Sequence, residues 1–204
     1  MEHKNRECSI RMSLKPSAGW QNLYVDFGEG EWMFPISSIL CDGFEALLRA
    51  LYFLHPANYE ERDDFVYEYV TEDNRHVLRA EVEWDGEGAW ATWILERDVE
   101  AAANFRVHLH IEIKYREERV CDYDFLYEEL CYAAAKVYTD ALKGFGFLGY
   151  YASTYGDDFN VRYLVFLKAA ALGKLDACKL TPTEDGYGDT SDFDSELELL
   201  LVDM

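Results

Sequence analysis

Apolar and polar residues alternate near the start of the chain, at Cys8, Ile10, Met12 and Leu14, the period-two pattern of a strand with one buried face. Lys15-Pro16-Ser17-Ala18-Gly19 breaks the pattern, and Trp20 to Phe27 reads as the returning strand of a hairpin. Gly28-Glu29-Gly30 turns into a third strand, Glu31 to Ile36. Its Pro35 has no N–H to give to a ladder and places it at a sheet edge or strand end. At Phe44 the period changes: Phe44, Leu47, Leu48, Leu51 and Leu54 share one helical face. The spacing predicts a helix over Asp42 to Leu54, opened by an Asp42/Glu45 capping box and stopped by His55-Pro56.

Four further segments, Asp64 to Val70, His76 to Trp84, Ala89 to Leu95 and Phe105 to Tyr115, are rich in β-branched and aromatic residues and read as an antiparallel meander. The last is the most regular: Phe105, Val107, Leu109, Ile111, Ile113 and Tyr115 share one face, and Arg106, His108, His110, Glu112 and Lys114 the other. Beyond Asp122 the helical period returns through Leu126, Leu130, Ala133, Ala134, Val137 and Ala141, with Gly144 as its stop. A third segment, capped by Gly156-Asp157-Asp158 and ended by Gly173, is apolar enough from Val161 to Leu167 to pass for a strand. Its length and its Ala-Ala-Ala-Leu-Gly ending favour a helix. The order strands, helix, strands, helices predicts an α+β fold: an antiparallel sheet of about six to seven strands with two to three helices on one face. Residues 1–182 are expected to form one domain and 183–204 an acidic tail, mobile at least to Ser195, with Leu199, Leu200, Leu201 and Val202 able to dock.

The stretch Phe34-Pro35-Ile36-Ser37-Ser38-Ile39-Leu40-Cys41-Asp42-Gly43-Phe44-Glu45-Ala46-Leu47-Leu48-Arg49-Ala50-Leu51 resembles a loose group of uncharacterised bacterial proteins. These place a helix opening Ser/Cys-Asp-x-x-x-x-Leu-Leu-Arg after an early hairpin, then a meander and a later helix ending Leu-x-Leu-Lys. Leu164-Val165-Phe166-Leu167-Lys168 is similar to that last element. The shared motifs are packing motifs, so the resemblance implies the fold and carries over no catalytic residue.

Charge changes the picture more than pattern does. Against 19 Lys and Arg stand 40 Asp and Glu, a formal net charge of −21 over 204 residues. That excludes nucleic acid and anionic membranes as electrostatic partners and points to a basic one. The eight acids of 183–204 do not account for it, since −13 remains without them. The opening residues encode no signal or transit peptide, and no run of eighteen apolar residues occurs. Five cysteines, odd in number and without a C-x-x-C pair, read as reduced thiols. A cytoplasmic location is the expectation.

Few residues carry chemistry. His108, His110 and Glu112 are weak metal-ligand candidates on one strand face, but Arg106 and Lys114 bracket the row, so no tight metal binding is expected. There is no G-x-S-x-G, and Gly28-x-Gly30 and Gly144 to Gly149 read as turns and not phosphate cradles. No cofactor and no catalytic residue is expected. Glu81, Glu83, Asp85 and Glu87 form an acidic strand face running into a turn, and Tyr69 ends the preceding strand within reach. These five are the expected partner-binding residues. The expected function is an acidic protein-binding module that neutralises a basic protein, as a bacterial toxin-immunity protein does. The alternatives are a small-ligand-binding or regulatory domain and a metal-dependent enzyme.

Overall fold

The computed structural model describes residues 10–61, 66–101, 105–115, 117–154, 160–183 and 189–204. Among them are ten strands and four α-helices in an α+β arrangement. The strands do not form one sheet of six or seven. β1 (Arg11–Ser17), β2 (Trp20–Asp26) and β3 (Glu31–Ser37) make a three-stranded antiparallel sheet. β4 (Val66–Val70), β5 (His76–Asp85), β6 (Trp90–Asp98), β7 (Arg106–Tyr115) and β8 (Glu117–Leu126) make a five-stranded meander. The two-residue strands β9 (Thr181–Pro182) and β10 (Asp189–Thr190) pair separately.

The hairpin break is tighter than expected, because β1 runs through Pro16 to a turn at Ala18-Gly19, with Ser17 opposite Trp20. As an outer strand, β1 has a free side that tolerates the missing N–H, and Pro35 sits likewise on the other edge strand, β3. β8 is the element the sequence reading omitted. Only Cys121, Tyr123 and Phe125 turn inward, while Glu118, Val120, Asp122 and Asp124 face solvent, so the strand is too polar to stand out.

Helix α1 (Glu45–Leu54) starts later than expected and has no capping box. Asp42 instead pairs with Arg49 at 2.7 Å, and the Phe44 N–H donates to the buried Gln21 side chain at 3.0 Å. Helix α2 (Tyr127–Ser153) opens with the Leu126 N–H donating to Glu129. It is broken at Gly146 and not Gly144. Gly146 takes φ 68° and ψ 163°, a region open essentially to glycine, and the chain then re-enters a helix to Ser153. The expected helix ending at Leu172 is α3 (Val161–Leu172), capped by the Asn160 side chain and closed by Gly173 in the left-handed conformation. The proposed cap at 156–158 lies outside the described residues. α3 is buried continuously from Leu164 to Ala170, between α1, α2 and α4 (Phe193–Leu201).

One core joins both sheets. Phe27 stacks on Tyr123 at 4.4 Å, Phe34 meets Trp93 edge-on at 5.3 Å, and Trp93 meets Trp84 at 5.1 Å. The Trp84 indole N–H donates to the Gly43 carbonyl, which fixes the start of α1 over β5. The C-terminal helix is part of the packing: Leu199 is buried against Val165 and Ala169. Beneath it lies Lys168, fully buried, whose Nζ donates to the Leu200 and Val202 carbonyls at 2.8 and 2.9 Å. No described helix is long and apolar enough to cross a membrane.

Candidate functional site

Strand alternation gives the five-stranded sheet two unlike faces. Leu78, Ala80, Val82 and Trp84 of β5 and Val107, Leu109 and Ile111 of β7 face the core. On the other face the register aligns four cross-strand rows. They read Tyr67-Arg79-Glu96-His108-Asp124, Glu81-Ile94-His110-Asp122, Glu83-Thr92-Glu112-Val120 and Asp85-Trp90-Lys114-Glu118. Eight carboxylates therefore stand against Arg79, Lys114 and two imidazoles. The metal-ligand candidates and Tyr69, Glu81, Glu83 and Asp85 of the partner-binding set, remote in sequence, lie on the same surface.

Within the rows the carboxylates are held in place. The Tyr67 hydroxyl donates to Glu81 at 2.7 Å and Arg79 Nε donates to the same oxygen at 2.8 Å. These contacts pull the Glu81 carboxyl below its usual range, the tyrosine hydrogen bond most, while burial and the carboxylate push the Tyr67 phenol up. The Tyr69 hydroxyl donates to Glu96 at 2.8 Å, so Tyr69 stands on this face as expected, one row beyond the others. At the far side His110 Nδ1 lies 2.7 Å from Asp122 and its Nε2 3.5 Å from Glu112. His108 lies 3.3 Å from Asp124 and 3.4 Å from Asp122. The Asp122 hydrogen bond is the main reason the His110 imidazole holds its proton above the usual range. Among the described residues no group of three or more His, Cys, Asp or Glu side chains is arranged to hold a metal.

Beyond the short β4, the edge of β5 leaves a groove of about 480 Å³. Glu81, Glu83 and Asp85 line it with Tyr67 and Trp90, facing Leu40 and Asp42 from the segment that leads into α1 and Arg49 from α1 itself. Three of the five expected residues thus meet in one place. Glu87 does not join them: it occupies the β5–β6 turn at φ 54°, its N–H donating to Asp85. The turn is pinned at Gly86, where an added Cβ would lie 2.6 Å from the Pro35 ring and 2.7 Å from its carbonyl oxygen. Sequence reasoning missed Tyr67, Trp90 and Asp42. Strand parity alone points to Tyr67, which shares a face with Tyr69, but Asp42 arrives from another element and has no local signal.

A second, more apolar cavity of about 570 Å³ lies between α3, α4 and the turns at Pro56–Glu61 and Leu175–Cys178, with Val165, Phe166, Leu197 and Leu200 among its walls. Burial pushes the Cys178 thiol at its edge up to about 11 and the buried Cys131 thiol higher still, the reverse of what a nucleophilic cysteine requires. No protein-family model, curated protein or solved structure matches the chain.

Proposed function

We propose that the chain is an acidic protein-binding module that neutralises a basic protein, in the manner of a bacterial toxin-immunity protein, and that it does so through the outer face of β4–β8. The observation that carries this reading is the groove in which Asp42, Glu81, Glu83 and Asp85 surround the half-exposed rings of Tyr67 and Trp90. Carboxylates at that spacing accept charge-assisted hydrogen bonds from Lys or Arg, and a flanking indole or phenol face adds cation–π attraction. The excess of carboxylates over the whole face would steer a basic partner toward the groove before contact. This role needs no catalytic residue and no cofactor, and the reduced cysteines suit a cytoplasmic setting.

Binding of a decalysine peptide, followed by calorimetry at low and high salt, tests the reading. The double charge reversal Glu81→Lys/Glu83→Lys is expected to weaken binding at least tenfold, or about 1.4 kcal/mol, with the far-ultraviolet circular dichroism unchanged. Affinity that ignores both the reversal and the salt sinks the assignment.

The 570 Å³ cavity favours a second reading, a small-ligand-binding domain, because its size and apolar walls are those of an ordinary ligand pocket. An environment-sensitive apolar dye displaced by Leu197→Trp but indifferent to the Glu81/Glu83 reversal would move the weight there.

A further inference from the structure

The imidazoles of His108 and His110 are embedded among the carboxylates that the proposed function offers to a partner. His110 stands in the same cross-strand row as Glu81, two strands away, with Ile94 between them. Its ring reaches Asp122 on β8 and Glu112 on β7. His108 faces Glu96 across β6 and Asp122 and Asp124 across β8. The other charges around the pair are Arg79, which binds Glu96, Arg106, which donates to the Asp124 carbonyl at 2.7 Å, and Lys114, 3.9 Å from Glu112. Each imidazole is partly exposed, so its proton exchanges with solvent without unfolding.

We propose that His108 and His110 form a proton-controlled regulator of this acidic face, which holds a basic partner in neutral to mildly alkaline solution and loosens its grip as the two rings become charged. The inference rests on the reading of the face as a partner surface. With both rings neutral, the four rows carry eight carboxylates against two permanent cations, and each ring has a single N–H to give, so Asp122, Asp124 and Glu112 keep acceptor lone pairs for a partner's Lys or Arg. Two protons add two positive charges inside the surface, and the imidazolium N–H groups take up those same carboxylate oxygens. An incoming ammonium then meets weaker attraction and internal competitors for its acceptors. Imidazoles are the side chains whose unperturbed titration lies between pH 5 and 8, so the rings are the groups placed to carry a change in that interval. Of the other histidines described, His55 is held down to about 4 by burial and by Arg97, and His76 pairs with Glu68 at the start of β5.

The test measures decalysine affinity at pH 6 and pH 8 and low ionic strength for the unaltered protein, His108→Gln/His110→Gln and His76→Gln, with the ring protons of each followed by NMR. The expected result is binding about tenfold weaker at pH 6, a midpoint matching the His108 and His110 ring titrations, loss of the pH dependence in the double variant and its retention in His76→Gln. Binding that is the same at both pH values, or a dependence that survives the double variant or disappears in His76→Gln, overturns the regulator while leaving the partner surface standing. No binding at either pH overturns the partner surface and the regulator together.

Discussion

Two charged surfaces of this molecule use their ions in opposite ways. On the outer face of β4–β8, carboxylates outnumber bases and remain at the surface. On the helical side, four of the chain's eight lysines converge on its last seven described residues. Lys168 reaches the Leu200 and Val202 carbonyls, Lys136 that of Met204, Lys143 pairs with Asp203, and Lys174 with Glu198. Charge on the helical side thus ties the C-terminal segment to the fold, while on the sheet eight carboxylates outnumber the bases that stand among them. Net charge cannot make that distinction. A chain at −21 commits half its lysines to its own C-terminal segment, and this leaves the acids of the sheet in excess of the bases beside them.

The comparison breaks most visibly at Lys168. Lys168→Ala leaves a cavity and two partly buried carbonyls without their Lys168 donor, and is expected to cost about 3–5 kcal/mol in urea unfolding. Little change would mean that α4 is not held from beneath. Burial lowers the Lys168 ammonium to about 8, with Lys143 contributing. The folded protein therefore loses this proton before the unfolded chain does, and the Lys168 contribution makes stability rise with pH between about 8 and the ordinary lysine range, a slope the variant should lose.

On the sheet the sharpest single change is Trp90→Ala. The ring is 50% exposed, so its loss should leave the melting temperature unaltered, yet cost about 2 kcal/mol in binding a basic partner if the groove is the centre of contact. A drop in melting temperature with unchanged affinity would move Trp90 from partner contact to structural support.

His110→Gln is a smaller perturbation with a defined sign. Asp122 raises the folded imidazole above its ordinary value, so its stabilising contribution is fully present below about pH 6.5 and disappears as pH rises through the folded value. Unfolding measured at pH 6 and 8 should show the unaltered protein losing stability on alkalinisation relative to the variant. The proton that tightens β7 against β8 would then be the one that loosens the partner. The smallest effect belongs to Lys174→Ala. Its pair with Glu198 is exposed on both sides, and removal should shift stability by less than about 0.5 kcal/mol, separating the surface contact from the buried one on the same helix.

Periodicity made much of this arrangement legible. The strong alternation of β5 to β7, the helical stripe of α1 and the Gly173 stop are local signals, each written within a dozen residues, and the structure repeats them with small changes of boundary. Where the local signal was weak, the reading failed. β8 buries only alternate residues at the edge of a sheet whose outer face is acidic, so its polar half masks its strand character. The Asp42/Glu45 box was a sound pattern displaced by a tertiary competitor, because Gln21 from β2 reaches the Phe44 N–H and Arg49 takes the carboxylate. Glu81, Glu83 and Asp85 were legible as one acidic face, but their meeting with Asp42 and Trp90 was not.

The sequence by itself determined the α+β class, the parity that sends each strand residue inward or outward, and the acidic excess. All of these depend on residue type and on spacing along a single element. Only the tertiary structure decided which strands share a sheet, which rows those outward residues form across it, and that the helical side draws four lysines to one short segment. Register, sheet order and helix docking are set by contacts between residues far apart in the chain, and no local period encodes them.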